Sequence, residues 1–194
     1  MKTVDIIIFG GQSNMQGQSE RLSESIEVEG AYEYKLLCDE FVPLKNPVGE
    51  NIRCDGSAGI TYTPNVKLSD WWNGHVLGSA CYGHTNLVPA FCRAYTKKTG
   101  REVVAVHTAK GSTEISWWLP QTVGFDAIVS KGSAAIRKAR ALAEVGHIYF
   151  VWLQGESDAI SGRSKDYYKE KLKELFGGLS DSLSVERFCI ISPA

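Results

Sequence analysis

The chain has 194 residues, 43% of them hydrophobic and 22% charged, with a formal net charge of -1. These proportions describe an ordinary globular domain with enough chain for one sizeable core. So even a charge balance lacks the basic footprint that a nucleic-acid or anionic-membrane partner requires, and no apolar stretch is long enough to span a bilayer.

Met1-Lys2 leads almost at once into an apolar run with no signal-peptide pattern. The five cysteines (Cys38, Cys54, Cys81, Cys92 and Cys189) are scattered and contain no Cys-x-x-Cys pair, so no metal site is expected. Cys92 falls in a helical pattern and Cys189 in a strand pattern, where both are expected as buried small hydrophobes. A reduced, cytoplasmic setting is the expectation.

Val4 to Phe9 predicts a strand of the kind parallel sheets bury on both faces. The stretch from Gly10 to Ser25 begins as a polar loop with room for a short helical turn. Alternation through Ile26, Val28, Tyr32, Tyr34 and Leu36 predicts a second strand within Ile26 to Leu37. Asp39 to Gly83, with Pro43, Pro47 and Pro64, has no sustained period and reads as a long decorated loop lining one side of a site. Leu87, Ala90, Phe91, Ala94 and Tyr95 then form one helical face, with Asn86 as N-cap and Gly100 as stop. Glu102 to His107 predicts a strand, Phe125 to Val145 a helix ended by Gly146, and Ile148 to Leu153 a buried strand. Tyr167 to Phe176 predicts a helix stopped by Gly177-Gly178, with Tyr168, Leu172, Leu175 and Phe176 inward. Arg187 to Ser192 predicts a last strand. Alternating strands and helices mean an α/β chain whose parallel sheet carries helices on both faces.

Three of these strands end in polar clusters. The first strand runs into Gly11-Gln12-Ser13-Asn14-Met15. A serine hydroxyl at the carboxyl end of a buried strand stands where open α/β sheets bind ligands and is a candidate nucleophile. The same residues are also ordinary turn chemistry. The strand ending at His107 leads to Ala109-Lys110-Gly111-Ser112-Thr113, where a glycine lets backbone approach a ligand and aim an N–H at it. The strand ending at Leu153 leads to Gln154-Gly155-Glu156-Ser157-Asp158. An amide such as Gln154 can donate to an oxyanion, and a carboxylate such as Glu156 can orient a base. Brought together, Ser13 supplies a nucleophile, while its own N–H, that of Gly111 and the Gln154 side chain supply oxyanion donors.

The segments GQSNM, AKGST-x-I-x-W and WLQGESD resemble the conserved blocks of the SGNH-hydrolase superfamily, in its sialate O-acetylesterase-like and acetylxylan-esterase-like branch, carbohydrate esterase family 6. The likeness runs from the first strand past Asp158. It implies a single flavodoxin-like three-layer α/β/α domain over 1–194 with a five-stranded parallel sheet. It also implies metal-free and cofactor-free removal of acetyl groups from an acetylated carbohydrate. Ser13 would be the nucleophile, Gly111 and Gln154 the oxyanion donors, and Glu156 a supporting acid residue as in some members. Gln12 and Asn14, flanking Ser13, join the candidates for oxyanion and substrate binding.

Two departures stand out. The second block usually reads Gly-Gly and here reads Gly111-Ser112, with Lys110 beside it. A lysine there suits an acidic substrate, or is simply solvated. The Asp-x-x-His block that such proteins carry after the last strand is absent, since the sequence stops at Ser192-Pro193-Ala194. The expectation is therefore a chain without its C-terminal Asp-x-x-His segment and final helix. That leaves its activity open and exposes an apolar strip for self-association or a complementing segment. Of the four histidines, His84 and His107 lie near the carboxyl-end rim, His75 lies in the irregular stretch, and His147 opens a strand at the far end. A non-catalytic glycan-binding module, with Trp71, Trp72, Trp117 and Trp118 as stacking faces, is the competing reading. A nucleotide site has no Gly-x-Gly-x-x-Gly or Gly-Lys-Ser/Thr after the first strand to support it.

Overall fold

The computed structural model describes residues 3–17, 26–36, 38–49 and 85–192. His75, His84, Trp71, Trp72 and most of the decorated loop lie outside the described residues. The first strand, β1 (Thr3–Gly11), leads into a single helical turn, α1 (Ser13–Gln16). Next come β2 (Ala31–Lys35), β3 (Glu40–Pro43), α2 (Val88–Thr99) and β4 (Glu102–Ala109). A 3-10 turn, Ile115–Trp118, precedes α3 (Val123–Leu142), β5 (Glu144–Leu153) and α4 (Glu156–Ile160). Helix α5 (Lys165–Leu183) and strand β6 (Arg187–Ile190) close the described chain.

The sheet runs in the order β3-β2-β4-β1-β5-β6. The five predicted strands are all present and pair in parallel. The sixth, β3, is antiparallel to β2 and lies where the sequence predicts irregular chain. Its four residues are too few to show a period, and pairing with β2 is what makes them a strand. Strand β1 sits between β4 and β5, with Gly11 level with Ala109 on one side and Leu153 on the other. The polar clusters after all three strands are therefore neighbours.

Alternate residues of β1 serve two cores, as the period of two demands. Ile6 and Ile8 pack with Ile128, Ala135, Leu175 and Leu179 from α3 and α5. Ile7 and Phe9 pack with Val88, Cys92 and Met15 on the opposite face. Helices on both faces make the three α/β/α layers. On the α2 side, an open cleft of about 400 Å³ lies beside Ile7, Phe91, Tyr95, Tyr149, Val151 and Cys189.

Several boundaries differ from expectation for identifiable reasons. Helix α2 buries Val88 and Cys92, while Ala90 and Ala94 face solvent, because larger side chains gain more from burial than alanine. Helix α3 ends at Leu142, and Gly146 lies inside β5 instead of stopping the helix. A Cβ at Gly146 would meet Asp5 Oδ1 at 2.6 Å and also collide with Arg101 Nη2. The glycine makes room for the Arg101 guanidinium, which binds the fully buried Asp5 carboxylate through Nε at 2.6 Å and Nη2 at 2.5 Å. Burial by itself would raise the Asp5 pKa, but hydrogen bonds from Arg101, Tyr95 and the His147 amide outweigh it and hold the carboxyl below its ordinary value. Helix α5 continues through Gly177-Gly178 to Leu183, because Leu179 and Leu183 extend its buried stripe. Cys189 is exposed on edge strand β6, and Cys92 is buried as expected. Both are free thiols, whereas Cys38 is disulfide-bonded.

Candidate active site

The turn after β1 starts from a forced glycine. Gly11 has φ +151, and a Cβ there would lie 2.0 Å from the Leu153 carbonyl oxygen. The Gln12 amide donates to that same carbonyl at 3.2 Å, so the turn is sewn to the end of β5. Ser13 opens α1, half-exposed, between buried Gln12 and exposed Asn14.

The second cluster reaches this turn directly. The Lys110 amide donates to the Gly11 carbonyl at 3.1 Å, and the Gly111 amide donates to Gln16 Oε1 at 2.6 Å. A Cβ on Gly111 would stand 3.8 Å from Ser13 Cβ and 3.9 Å from its Cα. Ser112 adopts φ 59, the left-handed region in which glycine rests without strain. The Ser112 substitution thus leaves the tight turn in place: Thr113 Oγ1 donates back to the Lys110 carbonyl at 2.8 Å. Lys110 Nζ stands 5.9 Å from the centre of the Trp117 ring.

Side chains of the third cluster meet those of the first at three points, the longest from Gln154 Nε2 to Gln12 Oε1 at 3.5 Å. Asn14 Nδ2 donates to Glu156 Oε1 at 2.6 Å, and Ser157 Oγ donates to Gln12 Oε1 at 2.7 Å. The other Glu156 oxygen, Oε2, is buried and has no hydrogen-bond partner among the described residues. Gln154 is 2% exposed and spends its amide inside the wall. Its Nε2 donates to the Thr113 carbonyl at 2.9 Å and to Asp158 Oδ2 at 2.6 Å, while its Oε1 accepts from Tyr168 Oη at 2.8 Å. A buried amide satisfies its hydrogens where it lies, and in this arrangement Gln154 braces the wall between the second and third clusters. Asp158 Oδ2 also accepts from the Ile115 amide at 2.9 Å, which ties the third cluster to the second.

His107 is buried, and its Nε2 stands 2.8 Å from the Met15 carbonyl. A carbonyl only accepts, so that nitrogen carries a proton. Burial lowers the His107 pKa to about 4. Its sequence position suits a base, but its ring is locked beneath the turn. His147 lies at the amino end of β5, with Nδ1 2.9 Å from Glu186 Oε2. Of the tryptophan candidates, Trp118 is fully buried, donates to Thr113 Oγ1 and packs edge-on against Trp152; it belongs to the core. Trp117 is partly buried.

Sequence reasoning missed Gln16, Thr113 and Tyr168 as parts of this site. Gln16 carried a usable signal: three residues after Ser13 in a helical turn, it shares the serine's face. Tyr168 carried none, since it reads as one more apolar position of α5.

A three-layer α/β/α domain with a serine turn, a glycine turn and a carboxylate at adjoining strand ends has the architecture of an SGNH-type esterase. The chain belongs to the SASA family, described as carbohydrate esterase, sialic acid-specific acetylesterase, whose family model matches residues 75–194. The matched stretch holds the second and third clusters, and the Ser13 turn precedes it. No curated protein sequence matches the chain. Among solved structures, a protein from Arabidopsis thaliana superposes with a TM-score of 0.66 at 16% identity, covering 97% of this chain and 72% of its own. NanS superposes with a TM-score of 0.64 at 13% identity, covering 97% of this chain and 67% of its own. At those identities the likeness is one of fold.

Proposed function

We propose that the chain is a serine esterase that removes O-acetyl groups from a carbohydrate of sialic-acid or xylan type. The observation that carries this reading is the approach of Gly111 to Ser13. Ser13 Oγ attacks the acetyl carbonyl carbon, its proton passes to a base, and the carbonyl oxygen becomes an oxyanion. The backbone N–H groups of Ser13 and Gly111 receive that oxyanion, and each such donor contributes on the order of 100- to 1000-fold to turnover. Collapse expels the sugar oxygen with a proton from the base, and water releases acetate from the acyl-serine.

Glu156 suits the orienting carboxylate, with Oε1 held by Asn14 and Oε2 buried without a partner among the described residues and available to accept an N–H from the base. Neither described histidine is that base. His107 Nε2 already donates to Met15, and His147 sits at the opposite end of the sheet. The base comes from outside the described residues.

The same observation about the histidines favours one second reading, a glycan-binding module that keeps the pocket without turnover. Aryl-acetate hydrolysis, with fluorophosphonate labelling of Ser13, separates the two. Hydrolysis and rapid labelling, both abolished in Ser13→Ala, support the esterase. Binding of an acetylated sugar with neither reaction supports the module.

A further inference from the structure

The Gly111 N–H, one of the two backbone donors in the proposed oxyanion hole, is already occupied. Gln16 Oε1 lies 2.6 Å from it, shorter than the usual 2.9–3.0 Å of an N–H···O bond. The same oxygen would lie 3.0 Å from a Cβ on Gly111, with Ser13 Cβ at 3.8 Å from that point. An oxyanion formed on Ser13 needs its donors at about 2.7–3.1 Å. The Gln16 side-chain oxygen therefore stands where an acyl oxygen has to arrive, and it is itself the carbonyl oxygen of an amide, a neutral acceptor like an ester carbonyl.

Only the side chain has to move to clear the position. The Gln16 amide donates to the Gln12 carbonyl at 2.7 Å, and the Gln16 carbonyl accepts from Asn86 Nδ2 at 3.3 Å. Asn86 Oδ1 in turn accepts from the Val88 amide at 3.0 Å, although the N-cap position of α2 is Leu87 and not Asn86 as the sequence suggests. The backbone of the turn is thus held at both ends. Beyond it, the one hydrogen bond of the side chain among the described residues is to Gly111. Among the described residues, rotation about the side-chain bonds breaks that one hydrogen bond.

We propose that Gln16 is a built-in stand-in for the acyl group: its side-chain carbonyl fills the Gly111 donor in the empty site and yields it to the incoming acyl oxygen. This rests on the esterase reading for its catalytic meaning, though the exchange itself needs no turnover. A neutral amide competes with a neutral ester on nearly equal terms but loses to an oxyanion, because hydrogen bonds to charged acceptors are roughly twice as strong. Gln16 therefore keeps water off the donor in the empty site and is displaced as charge develops. Gln16 is a positioning residue on this account, since the reacting atoms touch Gly111 and Ser13.

The test uses acetate, the anion the reaction would release, as a probe of the donor. Binding is followed by the Gly111 amide resonance in the full chain. In the unliganded protein, Gln16→Ala moves that resonance upfield, since the amide loses its acceptor. Acetate then binds about five- to tenfold more tightly to Gln16→Ala than to the unsubstituted chain, the worth of one net hydrogen bond. Gln16→Asn, which keeps the amide but is too short to reach, matches Gln16→Ala. Gln16→Glu binds acetate more weakly than the unsubstituted chain, because a carboxylate holds the donor harder and repels the anion. A merely structural role would move the Ala and Glu variants in the same direction. An unshifted Gly111 amide in Gln16→Ala, or acetate binding that fails to tighten in it, overturns the proposal. Should acetate behave as expected while Ser13 neither hydrolyses aryl acetates nor labels, the exchange stands and the esterase reading falls.

Discussion

Asn14 Nδ2 and Glu156 Oε1 lie 2.6 Å apart, although 142 positions separate them in the chain. The contact joins the turn that carries Ser13 to the first turn of α4 and leaves Glu156 Oε2 without a partner among the described residues. One oxygen locates the carboxylate and the other is left to hold a base.

Glu156→Gln removes the charge while keeping the shape. Fluorophosphonate labelling of Ser13 is expected to slow about a hundredfold, within the range of general acid–base effects. The melting temperature should stay within about 4 °C of the parent, since the side chain is only half-buried. Unchanged labelling would remove Glu156 from the mechanism.

Gln154 tests the difference between a brace and a donor. Gln154→Leu strips partners from the Asp158 carboxylate, the Thr113 carbonyl and the Tyr168 hydroxyl. Asp158 keeps the Ile115 amide and Tyr168 keeps the Gln154 main-chain carbonyl, so the cost comes mainly from the unpaired Thr113 carbonyl, about 1–3 kcal/mol, read as a lower urea midpoint. A donor role would instead slow labelling at constant stability. The two outcomes are distinguishable in one set of denaturation and labelling curves.

His107 makes stability depend on pH. Its pKa is lowered from 6.5 to about 4 by burial, opposed by the hydrogen bond to Met15 and assisted by the Lys131 charge. As pH falls below 6.5 the unfolded chain takes up this proton and the folded chain does not. The contribution is whole above pH 6.5, declines as pH falls towards 4, and amounts to about 3 kcal/mol when fully lost. His107→Gln, which has no group titrating in that window, should flatten the slope of unfolding free energy between pH 6.5 and 4. An equal slope in both proteins would refute the assignment.

Ser112 holds φ 59 in an exposed turn. Ser112→Gly relieves the left-handed strain but gives the unfolded chain more freedom, for a net gain of about 0.5–1 kcal/mol. A rise in melting temperature with unchanged Ser13 labelling is the expected result. A fall would mean that the serine hydroxyl holds the turn by a contact of its own.

Much of the site was legible because strand ends are easy to find. A run such as Val4 to Phe9 has one plausible fate, and polar residues directly after it must lie at its carboxyl end. Ser13, Gly111 and Glu156 were reachable in that way. The bonding of Gln154 was not, because two of its partners, Thr113 and Tyr168, come from other pieces of chain. Gly146 looked like a helix stop for the same reason: Arg101 and Asp5 occupy its space from distant positions.

Local pattern by itself determined the alternation of strand and helix, the burial of β1, β4 and β5, and the presence of a reactive-looking turn after each. Those features depend on side-chain periodicity and backbone preference within a few residues. Which strands became neighbours, that Gly111 stands against Ser13, and that Gln16 fills its amide were decided only by the folded chain. Such contacts depend on the packing of segments some ninety residues apart or more, and no short window of sequence carries that information.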